Sequence, residues 1–185
     1  MPRLARSCLV IGMLFAGEAS WALSLERLES RYDVGTFHVL LVALLDAPPA
    51  SIGAVLKDYE DYPRLDPRIR TSERIGSGRG GEVLLRTLLH ACEGIFCRDV
   101  TRVERVAEGP DSLAATIVPQ GSEVRRGTTL TRWQAYGSGT RVTYEAEFEP
   151  DFWVPAIIGR RFVAHGLRDS TLELFTNIEA RARGR

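Results

Sequence analysis

Cys92 and Cys97 are the residues of this 185-residue chain whose spacing most directly implies chemistry. Their segment reads Leu88-Leu-His-Ala-Cys92-Glu-Gly94-Ile-Phe-Cys97. A turn near Glu93-Gly94 would set the two thiols opposite each other across a hairpin, and the spacing predicts a disulfide. Closing so small a loop sits at the low end of the usual gain of ~2–4 kcal/mol. A metal site and a redox pair are the rival readings. No His or third Cys stands at ligand spacing, and the pair is not Cys-x-x-Cys.

The other reactive side chains are dispersed. His38, His90 and His165 lack metal spacing. Asp58, Glu60 and Asp61 form an acidic elbow, where carboxylates are most often solvated. Arg86 and Arg132 fall mid-strand, either outward in solvent or inward as a clamp for an anion or carbonyl. Ser77-Gly-Arg-Gly-Gly81 is glycine-rich but precedes no helix, so it is not a phosphate cradle, and no Gly-x-Ser-x-Gly elbow occurs. No catalytic set, metal or cofactor is assigned. The aromatics are more suggestive. Tyr59, Tyr62, Phe152 and Trp153 flank helices, Trp133 alternates with Thr129 and Thr131, and Tyr144 lies on an alternating strand.

The elements that must position these residues follow from pattern. Residues 33–46 form a long apolar first strand ended by Pro48-Pro49. Ala50–Lys57 is a short helix, and the prolines at 63 and 67 limit the elbow to a helical turn. Turn clusters at 77–81, 94, 108–111, 119–122 and 137–139 divide the middle into hairpins. In Thr140–Glu149, Val142, Tyr144, Ala146 and Phe148 alternate with charged or Thr residues, which is one buried face and one wet face. A helix of roughly 25 residues from Pro155 carries Val163, Leu167, Leu172, Phe175 and Ile178 on one face, with Asp169, Ser170, Glu173 and Asn177 opposite. His165 and Arg168 fall within that apolar arc or at its border. Residues 23–32 read as a short helix or a frayed lead-in.

Composition bounds the whole. Hydrophobic residues make up 44% and charged residues 26%, ordinary for one globular domain. Lys+Arg and Asp+Glu are 24 each, so nothing marks a nucleic-acid binder. Lys57 is the single lysine beside 23 arginines, a bias that composition alone does not explain. Residues 1–22 carry Arg3 and Arg6, a ten-residue apolar run and Ser20-Trp21-Ala22. This is the pattern of a secretory signal peptide rather than a membrane span. The expectation is an exported, periplasmic protein, soluble after cleavage, in which a disulfide persists.

Strand, short helix, hairpins and long closing helix define an α+β architecture. Together with Leu45-Asp-Ala-Pro48, Val55-Leu-Lys-Asp-Tyr-Glu-Asp-Tyr62-Pro63, Gly139-Thr-Arg-Val-Thr-Tyr144 and Phe148-Glu-Pro150, this order resembles the START and polyketide cyclase/dehydrase superfamily. Within it, the chain is similar to bacterial coenzyme Q-binding START proteins over about residues 33–180. The resemblance implies a helix-grip fold: a curved antiparallel sheet of about seven strands, residues 33–183, wrapped on the C-terminal helix around a hydrophobic cavity. It implies a carrier of a lipid or other hydrophobic molecule, quinone-like among the options, with transient membrane-surface contact. The cyclase/dehydratase enzyme and the ligand-free envelope interaction domain are the alternatives. Tyr59, Tyr62, Arg86, Trp133, Tyr144, Phe152, Trp153, His165 and Arg168 are the expected ligand-facing residues.

Overall fold

The computed structural model describes residues 23–93, 96–151 and 159–184. The expected signal segment and the candidates Phe152 and Trp153 lie outside the described residues. Eight strands form one antiparallel sheet: β1 Ser24–Asp33, β2 Thr36–Leu45, β3 Ile69–Ser77, β4 Val83–Glu93, β5 Phe96–Glu108, β6 Ser112–Ile117, β7 Val124–Tyr136 and β8 Gly139–Pro150. Their order across the sheet is β1-β2-β8-β7-β6-β5-β4-β3. Only β2–β8 and the β2–β3 connection depart from successive hairpins. That connection holds α1 Pro49–Leu56, a 3₁₀ turn at Tyr59–Asp61 and α2 Tyr62–Leu65. The closing helix α3 spans Gly159–Arg183. No helix among the described residues is long and apolar enough to cross a membrane.

The sheet has eight strands rather than seven because residues 24–33 form β1. Leu28, Ser30 and Tyr32 turn inward while Glu29, Arg31 and Asp33 stay exposed, a period of two. The helix-favouring Leu-Glu-Arg composition yields to the free edge of β2, which supplies the ladder. Val34 and Gly35 close this hairpin with φ of 43° and 90°, the two left-handed positions that a tight hairpin turn requires.

The core gathers at one end of the sheet. Leu41, Ala43 and Leu45 of β2, Val142 of β8, Trp133 of β7, Val106 of β5 and Leu85 of β4 meet Ile52 and Val55 of α1 and Phe175, Ile178 and Ala182 of α3. Burying one such side chain contributes about 1.5–3 kcal/mol. Polar clamps fix α3 over this core. The Glu179 carboxylate is buried and accepts the backbone N–H groups of Asp46 at 2.7 Å and Leu23 at 3.0 Å. Arg181 Nε donates to Asp61 at 2.9 Å. Asn177, expected on the wet face, instead donates to the Leu65 carbonyl at 2.8 Å.

Candidate ligand site on the concave face

The register of β3, β4 and β5 sets Ser72 opposite Thr87 and Thr87 opposite Arg102. Cross-strand partners share a face, and this is the concave face, since Leu85 two residues before Thr87 belongs to the core. Ser72 Oγ, Thr87 Oγ1 and Arg102 Nε are all buried with no hydrogen-bond partner in the protein. Such atoms each cost about 1–3 kcal/mol unless something satisfies them. Three in one row make a polar strip in an apolar wall.

Glu104 extends the strip along β5. Arg102 Nε stands 2.9 Å from Glu104 Oε2, at an angle that makes no hydrogen bond. The carboxylate side chain is 6% exposed, whereas 30% of the arginine side chain remains open. Arg102 stands close enough to Tyr144, Tyr62 and Asp66 for their charges to act on it. Burial alone would lower the guanidinium's hold on its proton. The Glu104 carboxylate, then Tyr144 and Tyr62, outweigh it and raise the pKa above its ordinary value.

Tyr62 and Tyr144 face the same region. Burial, reinforced by Glu104, pushes the Tyr62 phenol well above its usual range, and its hydroxyl donates to the Leu56 carbonyl at 2.7 Å. Burial also raises Tyr144, with Arg102 and a hydrogen bond with Thr129 pulling the other way. The Tyr144 ring meets Phe175 edge-on at 5.3 Å, where the closed core ends. Beyond Phe175, along the N-terminal half of α3, Val163, Ala164 and Leu167 are only half-buried. Opposite them Tyr144, Ala146 and Thr129 are half-buried as well. The sheet and helix thus close tightly at one end and less tightly at the other.

Of the nine expected ligand-facing residues, Tyr62 and Tyr144 come together here. Tyr59 and Trp133 do not offer surface to a ligand. Tyr59 is 1% exposed and donates to Glu108 Oε1 at 2.8 Å, and Trp133 is 2% exposed against Gly53 of α1. Arg86 takes the outward of its two expected positions, exposed on the outer face and 3.3 Å from Glu73. His165 and Arg168 are exposed on α3, on the solvent side of the arc assigned to them. The elbow acid Asp61 is occupied structurally by Arg64 and Arg181, both at 2.9 Å. Arg102 and Glu104 escaped sequence reasoning because Val103 between them is the buried apolar residue. Alternation would place Val103 in the core and its neighbours outside. The loop at 118–123 reverses this by covering Val103 on the outer face, with Ser122 Oγ accepting from the Val103 N–H at 2.8 Å.

A second concavity of about 430 Å³ lies on the outer face near β1, β2, β7 and β8. Its charges are mixed and mutually paired, as in Arg27–Glu29 at 2.7 Å and His38–Glu147 at 3.7 Å. They do not converge on a common point.

Comparison with known proteins matches this geometry to a family. The model of the polyketide cyclase/dehydrase and lipid transport family matches residues 36–183. No curated protein matches the sequence. A START superfamily protein from Mycobacterium smegmatis superposes with a TM-score of 0.63 at 17% identity, covering 80% of this chain and 97% of that one. The Zhui aromatase/cyclase from Streptomyces sp. R1128 gives 0.62 at 13% identity, covering 80% and 94%. A STAR-related lipid transfer protein from Xanthomonas axonopodis gives 0.61 at 14% identity, covering 88% and 99%. Identities this low establish a shared fold and leave function to the site.

Proposed function

Because the chain belongs to the polyketide cyclase/dehydrase and lipid transport family, we propose that its concave face binds a lipid or similar hydrophobic molecule bearing a polar oxygen at one end. The observation that carries this reading is the row Ser72, Thr87 and Arg102, whose buried Oγ, Oγ1 and Nε atoms have no hydrogen-bond partner in the protein. A carbonyl, hydroxyl or carboxylate there would accept from Arg102 and meet the two hydroxyls. The apolar remainder would run along Ala146, Val163 and Leu167 under the N-terminal half of α3. Each buried methylene contributes about 0.8 kcal/mol, so a tail of about a dozen carbons binds usefully after ordering costs. A quinone ring with its carbonyls at Arg102 fits the same chemistry.

The proposal extends to place. Arg3, Arg6, the apolar run and Ser20-Trp21-Ala22 favour export to a periplasm, and the Cys92–Cys97 disulfide is compatible with an oxidising compartment. A carrier there would meet a membrane surface transiently to load and unload.

Native mass spectrometry of the protein from an envelope fraction, followed by organic extraction, tests both the ligand and its class. A reproducible added mass that extracts as a lipid or quinone supports the reading. A clean apo mass from lipid-rich preparations, together with no retention of added oleate or ubiquinone, rejects it.

The cyclase/dehydratase alternative now rests on Glu104, a carboxylate buried beside the polar strip, with the buried Asp66 close enough to act on Arg102 as well. As an acid/base group it would have to reach the substrate, yet its side chain is 6% exposed and packs against the Arg102 guanidinium. The carrier reading asks nothing further of it.

A further inference from the structure

The β4–β5 hairpin carries a second arrangement, on the opposite face from the concave strip and three residues further along the same two strands. Register places Cys92 opposite Cys97 and His90 opposite Asp99. Residues 90 and 92 share one face of β4, so two rungs stand side by side. The disulfide closes one rung. In the other, His90 Nδ1 is 2.6 Å from Asp99 Oδ1. His90 Nε2 then stands 3.3 Å from Cys92 Sγ. A carboxylate only accepts, so Nδ1 carries a hydrogen and Nε2 is turned toward the sulfur. Both cysteines are exposed at the end of the hairpin. Sequence spacing hid this grouping because a histidine two residues before a cysteine becomes its neighbour only in a strand.

A buried structural disulfide would need neither exposure nor a proton-carrying neighbour. We propose that this hairpin is a thiol–disulfide exchange site for an external protein dithiol, with His90 as its catalytic acid/base and Asp99 as the positioning residue. The incoming thiolate attacks Cys97 Sγ and forms a mixed disulfide. The Cys92–Cys97 bond breaks and its electron pair leaves on Cys92 Sγ. Protonated His90 passes the Nε2 proton to that sulfur, matching the proton the incoming thiol gave up. The second thiol of the dithiol then attacks its own bonded sulfur and releases Cys97 as a thiol. The partner ends as a disulfide and this chain as a dithiol, so two electrons and two protons balance. In reverse, neutral His90 takes the Cys92 proton and generates the attacking thiolate. Asp99 holds the ring in the tautomer both directions need.

The geometry distinguishes the two sulfurs, and that is testable on the full chain. Glutathione serves as a monothiol that cannot resolve the mixed disulfide. Free thiols are then alkylated and each site read by mass spectrometry, which separates Cys92 and Cys97 from Cys8. Glutathione is expected on Cys97, with Cys92 alkylated, by about tenfold or more, and reduction by dithiothreitol should slow about tenfold to a hundredfold in His90→Gln. Asp99→Asn should slow it less while keeping the site preference. Equal labelling of the two cysteines, or unchanged reduction in His90→Gln, overturns the proposal. Should His90→Gln fail to fold, the labelling ratio in the unaltered protein decides alone.

Discussion

Arg102 and Glu104 stand two residues apart on β5 and face the concave side together, Nε to Oε2 at 2.9 Å. The pair is asymmetric, since the acid is closed off while the guanidinium keeps open surface. A ligand oxygen would therefore meet the arginine. Replacing Arg102 alone strands a buried carboxylate, which costs about 3–5 kcal/mol. The informative variant is Arg102→Met with Glu104→Gln, which removes both charges. Its melting temperature should stay near that of the parent, whereas Arg102→Met alone should fall clearly below it. Binding of oleate, followed by fluorescence displacement or calorimetry, should weaken about tenfold or more in the double variant, as expected for a lost charge-assisted hydrogen bond. Undiminished oleate binding would remove Arg102 from the site.

Glu179 governs a different property. Its two carboxylate oxygens accept backbone N–H groups from β1's start and from the turn after β2, and Arg183 lies 2.9 Å away. Glu179→Ala leaves two backbone donors without their acceptor and takes one of its acceptors from Arg183, which keeps Asp46, so unfolding free energy should drop by about 2–4 kcal/mol. Glu179→Gln, which retains one acceptor oxygen, should lose less. Denaturant titration of the three proteins checks this order.

Alkaline unfolding should report the buried phenols. Tyr59, Tyr62 and Tyr144 all have raised pKa values, with burial the largest cause in each. The unfolded chain ionises its tyrosines near pH ~10, whereas these three resist in the native state. The native state thus holds more protons above that pH, and stability falls as pH rises beyond ~10. Below it, their contribution is fully present. Absorbance at 295 nm and far-ultraviolet circular dichroism should show these tyrosines ionising together with loss of structure. Their smooth ionisation in a folded protein would contradict the burial described.

Much of this fold was legible because period and punctuation agreed. The alternation in Thr140–Glu149 is the alternation of β8, and the clusters at 77–81, 108–111, 119–122 and 137–139 all fall at strand ends. The disulfide followed from the spacing of Cys92 and Cys97, which pair across β4 and β5. The failures share a cause in tertiary context. Leu28-Glu-Ser-Arg-Tyr-Asp33 alternates as a strand should, but its helix-forming residues masked the signal until β2 supplied a partner edge. Val103 and its neighbours Arg102 and Glu104 drew no assignment, because only the folded 118–123 loop reveals what covers Val103 on the outer face. His165 and Arg168 sat at the edge of an arc whose width depends on how α3 is rotated, and that rotation is fixed by Glu179, Asn177 and Arg181 reaching partners more than 100 residues away.

That last point makes His165 a useful control. It is exposed, so His165→Ala should change stability by no more than about 0.5 kcal/mol and leave oleate affinity as it was. A marked loss of binding would mean that α3 turns this face inward when a ligand enters.

Two glycines at one turn separate conformational cost from packing cost. Gly137 has φ of 58° with no atom within contact of an added Cβ. Gly139 has no such φ, but an added Cβ would collide with the Leu45 carbonyl, a backbone atom that has little room to give. The next residue, Thr140, is buried and donates its hydroxyl to the Ala47 carbonyl at 2.6 Å. Together Gly139 and Thr140 seat the start of β8 against the end of β2 and set the register between them. Gly137→Ala should therefore cost about 1 kcal/mol, the ordinary price of a left-handed alanine. Gly139→Ala must displace a central strand pair, and should cost several times more, about 3 kcal/mol or above. Thermal unfolding of the two variants side by side reads the difference. Equal losses would mean that β8 can shift away from Leu45 without disturbing the concave face it helps to build.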